Sequence, residues 1–250
     1  MRNQTLLLCI SGIVLLMIVA AMATGGSPRR SSPPPTGGLG VSGDASRDTP
    51  LPSVAPLPAD TDVIAWAENN AGRADIPERT LQAYARAEIA QRRSTPDCGL
   101  SWVTLAGIGS VESHHATYRG ADLDGGGRVD PPIIGVSLDG SGGTAAIGDS
   151  DGGRLDGDPD ADRAVGPMQF LPSTWATYGG DGNGDGVRDP QQIDDAALGA
   201  ADYLCAGGRD TTSGSGWWSG VLAYNASEDY AREVWTAADS YATAGRAVAS

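Results

Sequence analysis

The order of apolar and polar residues divides the chain into three parts. Residues 5–23 form an apolar run without a charged side chain, after a short start that carries Arg2. Residues 24–59 are rich in Gly, Ser, Pro and Thr, and such a composition buries too little apolar surface to offset the entropy of ordering. From residue 60 to residue 250, apolar positions recur at helical spacing in several segments. The pattern predicts a targeting or anchoring segment (1–23), a disordered linker (24–59) and one folded domain (60–250).

Two interpretations of the first segment stay open. Ala21-Met22-Ala23 is a small-x-small sequence typical of a signal-peptide cleavage site. The run also approaches the roughly 20 residues that a membrane-spanning helix needs. Either a cleaved signal peptide or a retained transmembrane anchor predicts that the rest of the chain is extracytoplasmic.

The folded part is predicted to be mainly α. Seven segments have the pattern of helices: 62–70, 77–92, 99–113, 172–178, 194–205, 217–224 and 227–243. Pro at a helix start and Gly after a helix end support several of these boundaries. Between them, the apolar segments 133–138 and 144–147 flank an Asp/Gly turn, which predicts a β-hairpin inserted into the helical domain.

Composition and charge exclude some classes of function. The chain has 31 acidic and 17 basic residues, a formal net charge of −14, and all its basic residues are Arg. This acidity argues against a nucleic-acid partner, because a polyanion would be repelled. The lack of Lys argues against chemistry that needs an ammonium group.

The cysteines indicate a disulfide. Cys9 lies in the apolar run, which leaves Cys98 and Cys205 in the predicted extracytoplasmic part. An even number of cysteines in an oxidising compartment favours a bond between them. The alternative is two buried free thiols.

Glu112 is the candidate for acid chemistry. It is the only glutamate between residues 89 and 227 and ends an otherwise charge-free apolar segment. Partial desolvation and the helix C-terminus both disfavour its negative charge, so we expect a raised pKa, as a general acid needs. Gly109, one turn earlier on the same face, is expected to leave space for a substrate. The alternative is an exposed glutamate at a helix end.

Residues 181–192 have the spacing of a calcium-binding loop. Side-chain oxygens stand at positions 1, 3, 5 and 9, a turn glycine at 6 and a backbone carbonyl at 7, as in an EF-hand. The predicted ligands are Asp181, Asn183, Asp185, Val187 (through its carbonyl) and Asp189. Position 12 is Gln192 instead of Glu, and Asp194 or Asp195 is a candidate to replace it. The alternative is a loop of Asx turns without a metal.

Three motifs resemble those of lytic transglycosylases. Val111-Glu112-Ser113, the run from Gly166 to Trp175, and Ala223-Tyr224-Asn225-Ala226 followed by Tyr230 occur in the order seen in that family. The Gly166–Trp175 run followed by the Asp181 loop is most similar to the membrane-bound type B group. The resemblance extends over about residues 60–241. It implies a goose-type, lysozyme-like helical domain that acts on peptidoglycan glycan strands in the cell wall, secreted or anchored to the outer face of the membrane.

The resemblance also implies roles for individual residues. Glu112 would first protonate the bond between N-acetylmuramic acid and N-acetylglucosamine and then accept a proton from the muramyl C6 hydroxyl, which leaves a 1,6-anhydromuramyl end. The implied substrate-binding residues are Ser113, Met168, Gln169, Tyr224 and Asn225. Met168 and Gln169 would line the floor, and Tyr224 and Asn225 would hold Glu112 or an N-acetyl group. Calcium would be structural, no cofactor would serve catalysis, and we expect a monomer.

Other functions stay open from the sequence. A muramidase on the same fold would use water, with an Asp as base, and a calcium-dependent wall-binding module would have no turnover. Trp217-Trp218 is expected to stack on sugars or to pack in the core, and His114-His115 to lie at the groove edge or surface. The insertion 119–162 is expected to be either a lip over the groove or a solvated addition.

Overall fold

The seven segments predicted to be helical are helical in the computed structural model, which describes residues 46–246. The helices are α1 Val63–Ala74, α2 Glu78–Ser94, α3 Trp102–Ser113, α4 Pro172–Tyr178, α5 Ile193–Cys205, α6 Gly214–Tyr224 and α7 Glu228–Arg246. Two short strands, β1 Asp122–Leu123 and β2 Val129–Asp130, form an antiparallel pair. Short 3-10 turns span Pro96–Cys98, Tyr118–Gly120, Ser141–Gly143 and Ala206–Gly208. The predicted fold class, mainly α with a small antiparallel β element, is confirmed.

The apolar helix α3 lies in the centre of the core. Its Val103, Leu105 and Ile108 side chains are fully buried, and each such burial stabilises the fold by about 1.5–3 kcal/mol. Gly107 brings α3 close to α7, since a Cβ on it would lie 2.7 Å from the carbonyl oxygen of Val234. Helix α3, which carries Glu112, therefore packs tightly against its neighbours.

The predicted disulfide is present. Cys98 and Cys205 are bonded, with their Cα atoms 5.6 Å apart and a sequence separation of 107. The bond joins the chain just before α3 to the end of α5. Closing a loop of this length removes unfolded-state entropy equivalent to about 4–5 kcal/mol.

The predicted hairpin is present only next to its turn, and the named strands lie elsewhere. The named strands lie at 122–130, where Asp124 Oδ1 accepts the backbone N–H groups of Gly126 and Arg128, both at 2.9 Å, and closes the turn. At the turn the pairing is as predicted, since Ile147 N donates to Leu138 O at 2.7 Å and Asp139 forms an antiparallel bridge with Ala146. The arm 133–138 also pairs along its other edge with residues 162–166, for example through Gly135 N to Ala164 O at 2.8 Å. The apolar pattern predicted the extended chain and its turn correctly, but most of the first arm forms its hydrogen bonds with residues 162–166.

The end of the predicted linker, residues 46–59, has no helix or strand and lies against the domain. Leu57 is buried, and its N–H donates to Glu88 Oε1 at 2.8 Å. The boundary at residue 60 stays a prediction. The predicted segment 1–23 and linker residues 24–45 lie outside the described residues. Within 46–246, no helix is both long and apolar enough to cross a bilayer.

Candidate active site

Glu112 lies in the last turn of α3 with a half-buried side chain. Its Oε1 accepts a hydrogen bond of 2.6 Å from the hydroxyl of Tyr230. Tyr230 is buried in the first turn of α7. The contact therefore joins the end of α3 to the start of α7, and it fixes the direction of the carboxyl group.

The environment of Glu112 favours its protonated form. Burial raises its pKa to about 8, although the Tyr230 hydroxyl lowers it by stabilising the charged form. Burial and the nearby Glu112 also raise the pKa of Tyr230 well above its usual value, so Tyr230 remains a neutral donor. A carboxyl group that holds its proton at neutral pH can act as a general acid.

A tight turn at residues 166–170 is fastened beside Glu112 from two sides. The Ser113 hydroxyl donates to the carbonyl of Pro167 at 2.7 Å, and the Tyr224 hydroxyl donates to the carbonyl of Met168 at 2.6 Å. Ser113, Met168 and Tyr224 are all buried. The structure thus brings these three predicted site residues together. The hydroxyls of Ser113 and Tyr224 form their hydrogen bonds with the backbone of the turn.

Gln169 is the most exposed of the five predicted substrate-binding residues. Its backbone is left-handed, with φ at 48°, and its Nε2 donates to Gly166 O at 2.9 Å. Gly166 is required here, since its φ is 78° and a Cβ would lie 1.8 Å from the carbonyl oxygen of Pro190. The turn therefore presents the Gln169 side chain at the surface, next to the end of α3.

Asn225 follows α6 and is buried, 1% exposed. Its Oδ1 accepts the N–H of Ser227 at 3.1 Å, whereas its Nδ2 is buried and has no hydrogen-bond partner among the described residues. Buried polar atoms are nearly always paired. Asn225 therefore shapes the α6–α7 turn and leaves one donor unsatisfied.

The insertion 119–162 is built into the floor of this site. The side-chain amide of Gln191 accepts the N–H of Ile133 and donates to its carbonyl oxygen, each at 3.0 Å. Ile133 O also accepts the N–H of Gly166 at 2.9 Å. A Cβ on Gly135 would lie 3.1 Å from Gln169 Oε1. The interpretation of the insertion as a solvated addition is therefore wrong for residues 133–135.

The structure decides two further expectations, one of them against the prediction. The space beside Gly109 is filled by Tyr84, whose hydroxyl oxygen would lie 1.9 Å from a Cβ there, so it is not open to a substrate. Trp217 and Trp218 are 2% and 3% exposed, and Trp217 Nε1 donates to Thr104 Oγ1 at 3.1 Å. This pair is part of the core, which agrees with the packing alternative.

Sequence reasoning did not assign Tyr230 as the partner of Glu112. Tyr230 was part of the third motif, but the contact with Glu112 was expected from Tyr224 or Asn225. Tyr224 instead donates to Met168. The turn between α6 and α7 decides which tyrosine faces Glu112, and that turn is not readable from residue spacing.

The predicted calcium loop is closed by its own side chains. Asp181 accepts the N–H groups of Gly184 at 2.7 Å and Gly186 at 2.9 Å, and Asp185 accepts that of Val187 at 2.7 Å. Asn183 donates to Asp185 at 2.9 Å. Among the other predicted ligands, Asp189 forms an ion pair with Arg128.

Asp195, not Gln192, faces this loop. Gln192 caps α5, since its Oε1 accepts the N–H of Asp195 at 3.1 Å. Asp195 is buried and accepts the N–H groups of Gly182 at 2.7 Å and Asp189 at 2.9 Å. Burial, together with repulsion from Asp181 and Asp185, raises the pKa of Asp195 to about 6. Carboxylate and amide oxygens are the donors that a hard cation prefers, so the residue types of this loop and Asp195 fit Ca²⁺.

Part of the candidate site lies in a segment that matches a known protein family. Residues 162–219 match the family model described as the transglycosylase SLT domain. The matched range contains the turn 166–170, α4, the candidate calcium loop and α5. Glu112 and Tyr230 lie outside it.

Two comparisons extend over the whole chain. No curated protein matches the sequence. The structure is similar to the Escherichia coli lytic transglycosylase Slt35 in complex with bulgecin A, with 14% identity and a TM-score of 0.44, over 77% of this chain and 81% of that chain.

Proposed function

We propose that the protein is a peptidoglycan lytic transglycosylase. It cleaves the β-1,4 bond between N-acetylmuramic acid and N-acetylglucosamine and leaves 1,6-anhydromuramyl ends. The observation that supports this most is the half-buried Glu112, whose pKa is raised to about 8 and whose Oε1 is held by Tyr230. The match of residues 162–219 to the transglycosylase SLT domain supports the substrate class.

In the first step, the Glu112 proton moves to the glycosidic oxygen. The bond from this oxygen to C1 of the muramyl residue breaks, N-acetylglucosamine leaves with a free hydroxyl, and positive charge develops at C1. The resulting Glu112 carboxylate keeps the hydrogen bond from Tyr230, which stabilises its charge. The buried Tyr230 hydroxyl thus stabilises the Glu112 carboxylate that forms during the reaction.

In the second step, the muramyl C6 hydroxyl attacks C1. Its proton returns to the Glu112 carboxylate, so the enzyme is regenerated and no water is consumed. Most glycosidases divide these tasks between two carboxyl groups. Among the described residues, the side chain hydrogen-bonded to Glu112 is the Tyr230 hydroxyl and not a second carboxyl group, which fits a single group that serves as acid and then as base.

The neighbouring residues form the frame of the reaction. We propose that Gln169, the most exposed of them, contacts the sugar, and that Ser113 and Tyr224 hold the turn 166–170 under it. Asn225 supplies its unpaired Nδ2 to this region. Met168 is buried and supports the floor by packing.

The surroundings of the reaction follow from the same proposal. The disulfide fits an oxidising compartment, so we propose that the domain acts outside the cytoplasm, on the cell wall. We also propose that the loop 181–189 with Asp195 binds one Ca²⁺ that stabilises this part of the fold and takes no part in catalysis.

The test is an analysis of the products. The full chain is incubated with purified peptidoglycan, and the soluble fragments are examined by mass spectrometry. We expect anhydro ends, one water lighter than reducing ends, and we expect their loss in Glu112→Gln. Glu68→Gln, the same change on the exposed face of α1, is the control and should keep full activity.

Three other results would contradict the proposal. Reducing ends would indicate a muramidase that uses water. Binding to the wall without soluble fragments would indicate a wall-binding module. Activity that persists in Glu112→Gln would reject Glu112 as the acid.

A further inference from the structure

The backbone just after Glu112 is strained. His114, His115 and Ala116 have φ values of 51°, 62° and 73°, three left-handed residues in succession. Residues with a Cβ rarely adopt this conformation, and it persists only where the surroundings enforce it. Something in the structure must therefore hold this turn, which begins two residues after the carboxyl group.

The His115 side chain is the centre of the contacts that hold the turn. It is 6% exposed, with Nδ1 3.2 Å from the Tyr84 hydroxyl and Nε2 2.8 Å from the Tyr241 hydroxyl. Tyr84 belongs to α2 and Tyr241 to α7. The imidazole thus bridges two helices that flank α3. The expectation that both histidines lie at the surface is wrong for His115 and right for His114, which is exposed.

A neutral imidazole suits this place. It has one donor and one acceptor nitrogen, and a tyrosine hydroxyl can serve as the counterpart of either. Burial, with a smaller contribution from His114, lowers the pKa of His115 to about 4, so the ring is neutral at physiological pH. Burial raises the pKa values of Tyr84 and Tyr241, so both remain uncharged hydroxyls.

Three contacts connect His115 to the turn of α3 that carries Glu112. The backbone N–H of His115 donates to Gly109 O at 2.9 Å. Tyr84, which bonds the ring, fills the space beside Gly109, one turn before Glu112. Helix α7 supplies Tyr241 to His115 and, about three turns earlier, Tyr230 to Glu112. The last turn of α3 is therefore fixed at both sides of the carboxyl group.

We propose that His115 is a positioning residue of the Glu112 site. As a neutral bridge between Tyr84 and Tyr241, it holds the left-handed turn and α7 so that Tyr230 meets the carboxyl group. It touches no substrate and transfers no proton. The proposal rests on the proposed function for its effect on turnover, but its structural part does not.

The test compares two adjacent histidines. His115→Phe keeps a ring in the core and removes both hydrogen bonds, whereas His114→Phe places the same ring on the neighbouring, exposed, left-handed residue. His115→Gln retains one donor and one acceptor. The measurements are kcat and KM on glycan strands and the pKa of Glu112 from ¹³C-carboxyl NMR, with the resonance assigned by its loss in Glu112→Gln.

We expect His115→Phe to lower kcat by about 10- to 100-fold with little change in KM, since small misplacements of a catalytic group have effects of this size. The pKa of Glu112 should fall towards its usual value as solvent enters, and His115→Gln should restore part of both. His114→Phe should change neither. A folded His115→Phe protein with unchanged kcat and Glu112 pKa, or an equal loss in His114→Phe, would overturn the proposal.

Two further measurements keep the result decisive. If His115→Phe does not fold, Tyr241→Phe removes one hydroxyl from the bridge, and an unchanged Glu112 pKa in that variant contradicts the proposal. If the wild-type chain releases no anhydro ends, the proposed function fails, yet the NMR pKa values still decide whether His115 positions the carboxyl group.

Discussion

Two glutamates at opposite ends of α3 make the clearest contrast in this molecule. Glu88, from α2, is fully buried and accepts the N–H of Leu57 at 2.8 Å with one oxygen and that of Trp102 at 2.7 Å with the other. It also pairs with Arg92. Glu112 is half-buried and has the Tyr230 hydroxyl on one oxygen. Burial raises the pKa of both groups.

The difference shows that a raised pKa alone does not mark a catalytic group. Both carboxylate oxygens of Glu88 accept hydrogen bonds. Glu88 therefore links the residues before α1 and the start of α3 to α2. Glu112 has one donor, the Tyr230 hydroxyl, and its side chain is only half-buried, so its proton can reach a ligand. The partners of a buried carboxyl group, more than its burial, separate a structural role from a chemical one.

Exchanging each carboxyl group for an amide should separate the two roles most strongly. Glu112→Gln should lower activity by at least about 10³-fold, within the range that general acid–base catalysis supplies, while the protein stays folded. Glu88→Gln should keep the active site but reduce the free energy of unfolding by about 3 kcal/mol, since it breaks a buried charged network. Product release and urea unfolding measure these effects.

The pH dependence of stability should differ as well. The folded pKa of Glu112, about 8, lies above its unfolded value, so the folded state loses stability as pH rises from about 4.5 to 8. Glu112→Gln should therefore be more stable than wild type at pH 8, with the gain vanishing near pH 4. An equal gain at both pH values would show that Glu112 is not buried as described.

Removing the single partner of Glu112 should have a smaller effect. Tyr230→Phe takes away a hydrogen bond to the charged form, so the pKa of Glu112 should rise and the alkaline limb of kcat/KM should move to higher pH. We expect a loss of about tenfold in kcat, equivalent to one hydrogen bond to a charged group. A limb that moves to lower pH would contradict the assignment of Tyr230.

Asp195 extends the comparison to a third buried carboxyl group, which faces other carboxylates. Calcium at 100 times its Kd would stabilise the fold by about 2.7 kcal/mol, and a chelator should lower Tm by several degrees. Asp195→Asn should lose that response, and Asp202→Asn on the same helix should keep it. A wild-type Tm that is indifferent to both calcium and chelator would contradict the site.

Much of the helical fold was readable from local pattern. The boundaries of α4 were predicted to the residue, because Pro172 starts the helix and glycines follow it. The end of α5 at Cys205 and its bond to Cys98 followed from residue type and compartment. The turn between 138–139 and 146–147 was readable as well, whereas the pairing of 133–138 with 162–166 was not, because those residues are distant in sequence.

By itself, the sequence determined that a lone glutamate ends an apolar helix, because residue type and helical spacing are local properties. The raised pKa was only an expectation until the fold buried the side chain. Only the tertiary structure decided that Tyr230 meets this carboxyl group, that Tyr84 fills the space beside Gly109, and that His115 turns inward between two tyrosines. Those contacts join residues far apart in the chain, so their geometry depends on how α2, α3 and α7 pack and not on any spacing within one segment.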